Sequence, residues 1–167
     1  ALNRWYKTRF GWPLQPEWLV KTPGTVYAIC AAIRALTEPG DAVLIQQPVY
    51  YPFSSSVRAN DRRLIVNPLI LENGRYHMNL DEMERLIIDE QVRLFILCSP
   101  HNPVGRVWTR EELIAVGNLC VRYGIYVVAD EIHADFIYPG NVHSVFASLK
   151  PEFAELSVIC TAPTKTF

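Results

Sequence analysis

Five apolar runs recur along this chain: Ala42–Ile45, Arg63–Val66, Val92–Cys98, Gly124–Ala129 and Leu156–Cys160. They are short and nearly continuous, as strands buried on both faces of a parallel sheet are. Pro39-Gly40-Asp41 before the first run is a turn signal. Between the runs the apolar residues recur every three to four positions. Thr25 to Leu36 places Ala28, Ile29, Ala32, Ile33 and Leu36 on one helical face. Asn79 to Ile88 opens Asn-Leu-Asp-Glu, with Asn79 as N-cap and Glu82 three residues on. Thr109 to Tyr123 opens with the same kind of signature and turns Leu113, Val116, Leu119 and Cys120 inward. A further helix is expected over Tyr50 to Ala59, starting near Pro52. Strand and helix alternate, so the pattern predicts an α/β fold with right-handed crossovers. The opening stretch, Ala1 to Pro23, reads as the end of a helix and a link into the core.

Composition narrows the class without changing this picture. The chain has 167 residues, 50% hydrophobic and 20% charged, with a net charge of −1. That suits one domain and offers no basic surface for nucleic acid. No apolar run approaches the roughly 20 residues needed to span a bilayer. No apolar leader with a small-residue cleavage site is present at the start. Cys30, Cys98, Cys120 and Cys160 have no metal-ligand spacing and read as reduced thiols. A cytoplasmic setting is expected.

Candidate chemistry sits at the ends of the predicted strands. Asn102 follows the Val92–Cys98 run, Asp130 ends the Ile125–Ala129 run, and Lys165 follows Ser157–Cys160. In parallel α/β sheets ligands bind outside the carboxyl ends of strands, so one ligand can meet all three. Alone, each has an ordinary role: surface lysine, strand-end cap, turn asparagine before proline. Together they are an amine for an aldehyde, a carboxylate for a pyridinium nitrogen and an amide for a phenolic oxygen. That set matches the protein half of a pyridoxal 5'-phosphate site. A phosphate needs backbone N–H groups at a helix start, and Gly24, Thr25 and Val26 open the first core helix. Tyr50 follows the Val43–Ile45 run and offers a flat face for a ring. His133, three residues beyond Asp130, is a second ring-oxygen or substrate-side candidate.

Three motifs, Ser99-Pro100-His101-Asn102-Pro103-Val104-Gly105-Arg106-Val107-Trp108, Asp130-Glu131-Ile132-His133-Ala134-Asp135 and Ala162-Pro163-Thr164-Lys165-Thr166-Phe167, give the chain its resemblance. It resembles fold-type I pyridoxal phosphate enzymes of the class I/II aminotransferase superfamily, and within it the MalY/PatB group of cystathionine β-lyases. Aminotransferases proper usually carry tyrosine where His133 stands, and serine is common where Thr164 stands. The resemblance implies a three-layer α/β/α sandwich with a mostly parallel sheet, truncated. Residues 1–23 would end a small domain and its link, 24–167 would be part of the coenzyme-binding large domain, and a C-terminal domain would be absent. It implies Lys165 as the Schiff-base lysine, Asp130 at the pyridine nitrogen, Asn102 at the ring oxygen and Tyr50 stacked on the ring. Gly24, Thr25 and Val26 would form the phosphate loop, and His133 would take the place of the usual oxygen-contacting tyrosine. The implied activity is carbon–sulfur β-elimination from an amino-acid substrate, giving thiol, ammonia and pyruvate, in a homodimer. An aminotransferase on the same scaffold and an aminotransferase-like regulatory domain are the alternatives. Little turnover is expected of this stretch alone.

Overall fold

The computed structural model describes residues 1–166, so Phe167 of the last motif lies outside the described residues. Five parallel strands form the central sheet: β1 (Ala42–Gln47), β2 (Arg63–Pro68), β5 (Val92–Cys98), β6 (Tyr126–Asp130) and β7 (Ser157–Cys160). A two-stranded antiparallel ribbon, β3 (Ile70–Glu72) and β4 (Arg75–His77), stands beside it. The order across the main sheet is β2-β1-β5-β6-β7. The chain therefore moves outward from β1 to β2, then returns past β1 to continue on the other side. The connections after β1 and β5 lead to helices on opposite faces of the sheet, and such a reversal is where an α/β sheet opens a ligand crevice.

Side chains alternate between two cores, as the strand period requires. Val43, Ile45, Leu94, Ile96, Cys98, Val128 and Cys160 meet helices α2 (Thr25–Leu36) and α3 (Pro52–Ala59) on one face. Ala42, Leu44, Phe95, Leu97, Val127 and Ala129 meet α4 (Leu80–Asp89), α5 (Arg110–Tyr123) and α6 (Pro151–Glu155) on the other. The result is a three-layer α/β/α arrangement, as expected.

Local signals account for most helix ends. Asn79 accepts the Glu82 N–H at 3.2 Å. Thr109 and Glu112 close a full capping box, worth about 1 kcal/mol for the threonine cap. Gly124 ends α5 in the left-handed conformation at φ 64°. The first core helix is different: its N-cap is Gly24, with no side-chain cap, and Thr25 is already helical.

Helix α1 (Leu2–Phe10) and the segment after it form a small third cluster, Tyr6 and Leu14 packed on Val145. Beyond it, Leu19 and Val20 are exposed and β7 is the last strand of the sheet. An apolar groove of about 710 Å³ lies between them, floored by Ala28, Ala31 and Ala35 of α2.

Candidate active site

Register brings the strand ends level. Cys98 of β5 pairs with Asp130 of β6, which pairs with Cys160 of β7. Because Val128 faces α2 and α3, Asp130 two residues on shares that face. Helix α2 runs into β1 through a short turn, so it is antiparallel to the strands and its first turn lies at their carboxyl edge. Its length, 12 residues or about 18 Å, nearly matches the roughly 20 Å of the six-residue β1. The first N–H groups of α2 therefore point toward the edge that carries Asp130.

Gly24 shapes that helix start. Its φ of 152° and ψ of 167° belong to a region open essentially to glycine. No atom lies within 4 Å of where a Cβ would stand, so the space in front of the turn is open. No acidic residue occupies the first turn of α2, and among the described residues Gly24 gives it no side-chain cap. Thr25 is half-buried and Val26 is exposed.

Asp130 is the site's buried charge, 5% exposed. One carboxylate oxygen accepts the Ile132 N–H at 3.2 Å; the other makes no hydrogen bond among the described residues. Burial pushes its pKa up from 3.8 to about 6, and the neighbouring Glu131 charge adds to this, while the Ile132 N–H and the Lys165 ammonium pull it down. Lys165 is exposed in the tight Pro163–Lys165 turn after β7. Partial burial, and secondarily the charge of Lys165, holds the pKa of His133 below its ordinary value.

Two loops lock at the sheet's reversal point. The Tyr50 N–H donates to the Asn102 carbonyl at 3.0 Å, and His101 Nε2 meets the Pro48 carbonyl at 2.9 Å. Tyr50, at the edge of exposure, lies edge-on to Phe53 with ring centroids 6.2 Å apart. Within the second loop the Cys98 thiol donates to the Pro100 carbonyl and accepts the Asn102 N–H, both at 3.4 Å. Trp108 donates its indole N–H to the Cys98 carbonyl at 2.9 Å, and the Arg106 guanidinium lies 4.6 Å over the Trp108 ring. Arg106 also pairs with Glu112 and donates to the Tyr76 carbonyl at 2.9 Å. The Asn102 backbone is thus held from both sides, while its side-chain amide makes no hydrogen bond among the described residues.

Glu131, next to Asp130, is fully buried. Its carboxylate meets His143 Nε2 at 3.0 Å and accepts the Phe146 N–H at 2.8 Å. This pair staples the loop after β6 back onto the sheet end. Sequence reasoning missed it, since Glu131 was read only as part of a motif and His143 stands 12 residues on with no periodic relation to it. The brace around Asn102 was missed too, because Cys98 reads as a plain core residue.

The candidate residues therefore gather along one edge. Tyr50 and Asn102 are directly bonded, Asp130 lies level with the Asn102 and Lys165 loops, and Gly24 opens α2 on the same side. A buried carboxylate with a free oxygen, a free amide, uncapped helix N–H groups and an exposed lysine suit a ligand with a basic ring nitrogen, a ring oxygen, a phosphate and an aldehyde. The donor set fits pyridoxal 5'-phosphate.

That fold and site define a pyridoxal-phosphate type of α/β scaffold, and comparison with known proteins narrows the class. The family model for aminotransferase class I and II matches residues 1–167, and the chain belongs to that family. It is 47% identical over 167 residues to the cystathionine beta-lyase PatB of Bacillus subtilis, covering 100% of this chain and 43% of that protein. It is 29% identical over 143 residues to protein MalY of Escherichia coli, covering 86% of this chain and 37% of that one. Among solved structures it is similar to cystalysin of Treponema denticola, which contains pyridoxal 5'-phosphate. There the TM-score is 0.96 at 38% identity, over 99% of this chain and 42% of cystalysin. The chain thus spans less than half the length of the relatives it matches.

Proposed function

We propose that this chain carries the coenzyme-anchoring part of a pyridoxal-phosphate-dependent carbon–sulfur β-lyase acting on cystathionine or a related cysteine conjugate. The observation that carries this reading is Asp130, buried at the end of β6 with one oxygen free and within the field of Lys165. The likeness to cystathionine beta-lyases supports the choice of reaction. Residues 1–23 are read as the end of a smaller domain and its link, and 24–167 as part of the coenzyme domain.

When bound, pyridoxal phosphate supplies an electron sink for charge left on the substrate's α-carbon. Asp130 would hold a proton at the ring nitrogen, and partnership with that cation would lower its own pKa. The Ile132 N–H fixes the carboxylate so that its second oxygen is the one offered. Asn102 would donate its side-chain amide to the ring oxygen, and His133 is the second candidate for that oxygen or for the substrate. Gly24, Thr25 and Val26 offer N–H groups to the phosphate, where the α2 dipole also favours negative charge. Tyr50 orients the ring by its face. Lys165 is the residue that would hold the aldehyde, and its Nζ is the base that would take the substrate's α-proton. The overall reaction proposed is loss of the α-proton and of the Cβ sulfur as thiolate, with water completing the release of ammonia and pyruvate.

Exposed Tyr51, beside Tyr50, suits a second copy packed against this edge, and a homodimer is the proposed assembly. Cysteines that are all free suit a reducing compartment, for which the cytoplasm is proposed. Among the described residues no helix is long and apolar enough to cross a membrane.

The test is made on the full-length protein with coenzyme and cystathionine. Pyruvate should appear without an added keto acid, and Lys165→Ala should abolish both pyruvate release and borohydride fixation of coenzyme to the chain. A strict requirement for a keto-acid acceptor would replace the lyase by an aminotransferase, the second reading that family membership supports. Coenzyme fixed as well in Lys165→Ala as in wild type would overturn the site.

A further inference from the structure

Lys165 is exposed and makes no ion pair among the described residues, yet a lysine that bonds a ligand aldehyde must be held near it. The turn that carries it, Pro163–Lys165, is closed by the Thr166 N–H donating to the Pro163 carbonyl at 3.0 Å. That bond shapes the turn but ties it to nothing else. The tie comes from Thr166, the next residue, whose Oγ1 donates to Asp135 Oδ2 at 3.0 Å. The other oxygen of Asp135 lies 3.4 Å from Arg9 Nε of α1. The Asp135 side chain is 17% exposed and that of Arg9 54%. Asp135 sits on a hydrogen-bonded turn. It belongs to the turn after β6, in which the Ala134 N–H bonds to Glu131 O and the Phe136 N–H to His133 O, both at 2.9 Å. Glu131 in turn is pinned by His143 and Phe146.

We infer that Asp135 is the positioning residue of Lys165: its carboxylate grips Thr166 and so holds the lysine turn against the loop that begins at Asp130. The inference rests on the proposed role of Lys165 in bonding the coenzyme. The acid and the amine of the site are then joined at two levels. Backbone joins them through the Glu131 N–H to the Cys160 carbonyl at 2.8 Å, and a side chain joins them through Asp135 and Thr166. Arg9 lies 3.4 Å from the buried Oδ1 without a hydrogen bond to it and is the lesser partner.

Two measurements on the intact protein test this. The first is amide hydrogen exchange of segment 161–166 without coenzyme. The second is the rate at which borohydride fixes added coenzyme to Lys165, read by peptide mass. Thr166→Val and Asp135→Ala should each speed exchange in 161–166 about tenfold, as loss of one hydrogen bond to a charged acceptor implies, and slow fixation by about as much. Thr166→Ser, which keeps the hydroxyl, should restore both. Strand β6 should exchange as in wild type. If Asp135→Ala does not fold, the Thr166→Val and Thr166→Ser pair decides alone. Wild-type exchange in Thr166→Val, or failure of Thr166→Ser to restore it, would overturn the inference. No fixation at Lys165 in wild type would instead overturn the coenzyme reading, and the exchange result would still report on the tie.

Discussion

Replacing Asp130 by asparagine should make the coenzyme-free protein more stable and its coenzyme binding weaker. The carboxyl is 5% exposed, and burial raises its pKa from 3.8 to about 6. At about 1.4 kcal/mol for each tenfold in proton affinity, that rise corresponds to about 3 kcal/mol. The sign follows from linkage. A carboxyl with a raised native pKa binds its proton more tightly folded than unfolded, so stability falls as pH rises from about 4 to about 6 and stays reduced above that. Asparagine carries no charge to desolvate, and its side-chain oxygen can still accept the Ile132 N–H. At pH above 7 the variant should therefore gain up to about 3 kcal/mol over wild type. The gain should shrink as pH falls through 6 and vanish near 4. Urea unfolding of both proteins across this range measures it. Coenzyme titration should show the opposite ranking, because the ring nitrogen has lost its anionic partner. A variant less stable than wild type at neutral pH, or a difference that does not change with pH, would refute the assignment of Asp130 as an uncompensated buried acid.

Two glycine substitutions probe the scaffold. Gly24→Ala places a Cβ in open space at φ 152°, so its cost is conformational, about 1–3 kcal/mol. It should weaken coenzyme binding by titration while leaving the α5–α6 side of the fold untouched, and undiminished binding would remove Gly24 from the site. Gly117→Ala in α5 does the reverse. Its Cβ would stand 2.4 Å from the Phe153 ring, which is stacked on Phe146 at 5.1 Å and cannot retreat freely. Overpacking of about 1–3 kcal/mol should outweigh the roughly 1 kcal/mol that alanine gains as a helix former. The urea midpoint should therefore fall; a rise would show that the ring gives way.

Much of this fold is legible because period and apolarity are local. Helix α2 and strand β5 have the bounds that their patterns predict, and α5 differs only by its cap. Strand β1 runs on past Ile45 through Gln46 and Gln47, which an apolar pattern cannot include. Gln46 is buried all the same, with its Nε2 3.4 Å from Asn67 Oδ1 on the neighbouring strand. The ribbon β3–β4 escapes the same pattern because its residues are mostly exposed, although Asn73 and Gly74, with φ of 50° and 76°, form a hairpin turn their identities favour. Helix α6, five residues long, is too short to show a period.

The site divides along the same line. Asp130 is placed by the alternation that builds β6: Val128 must face α2 and α3, so Asp130 must as well, and a slip of one residue would turn it to the opposite layer. Asn102 follows a strand whose end is level with Asp130, and the Cys98 thiol and the Tyr50 N–H then fix its backbone. For Asp130 the pattern that makes the core also makes the site. Lys165 has no such guarantee. Four residues separate it from the end of β7, and no strand or α-helix period spans them. Its position depends on contacts between residues far apart in the chain, Thr166 with Asp135 and Glu131 with His143. Those contacts would decide where the amine stands relative to the proposed coenzyme. Substitutions at Asp130 should therefore change how the coenzyme is bound, and those at Asp135 how quickly Lys165 reaches it.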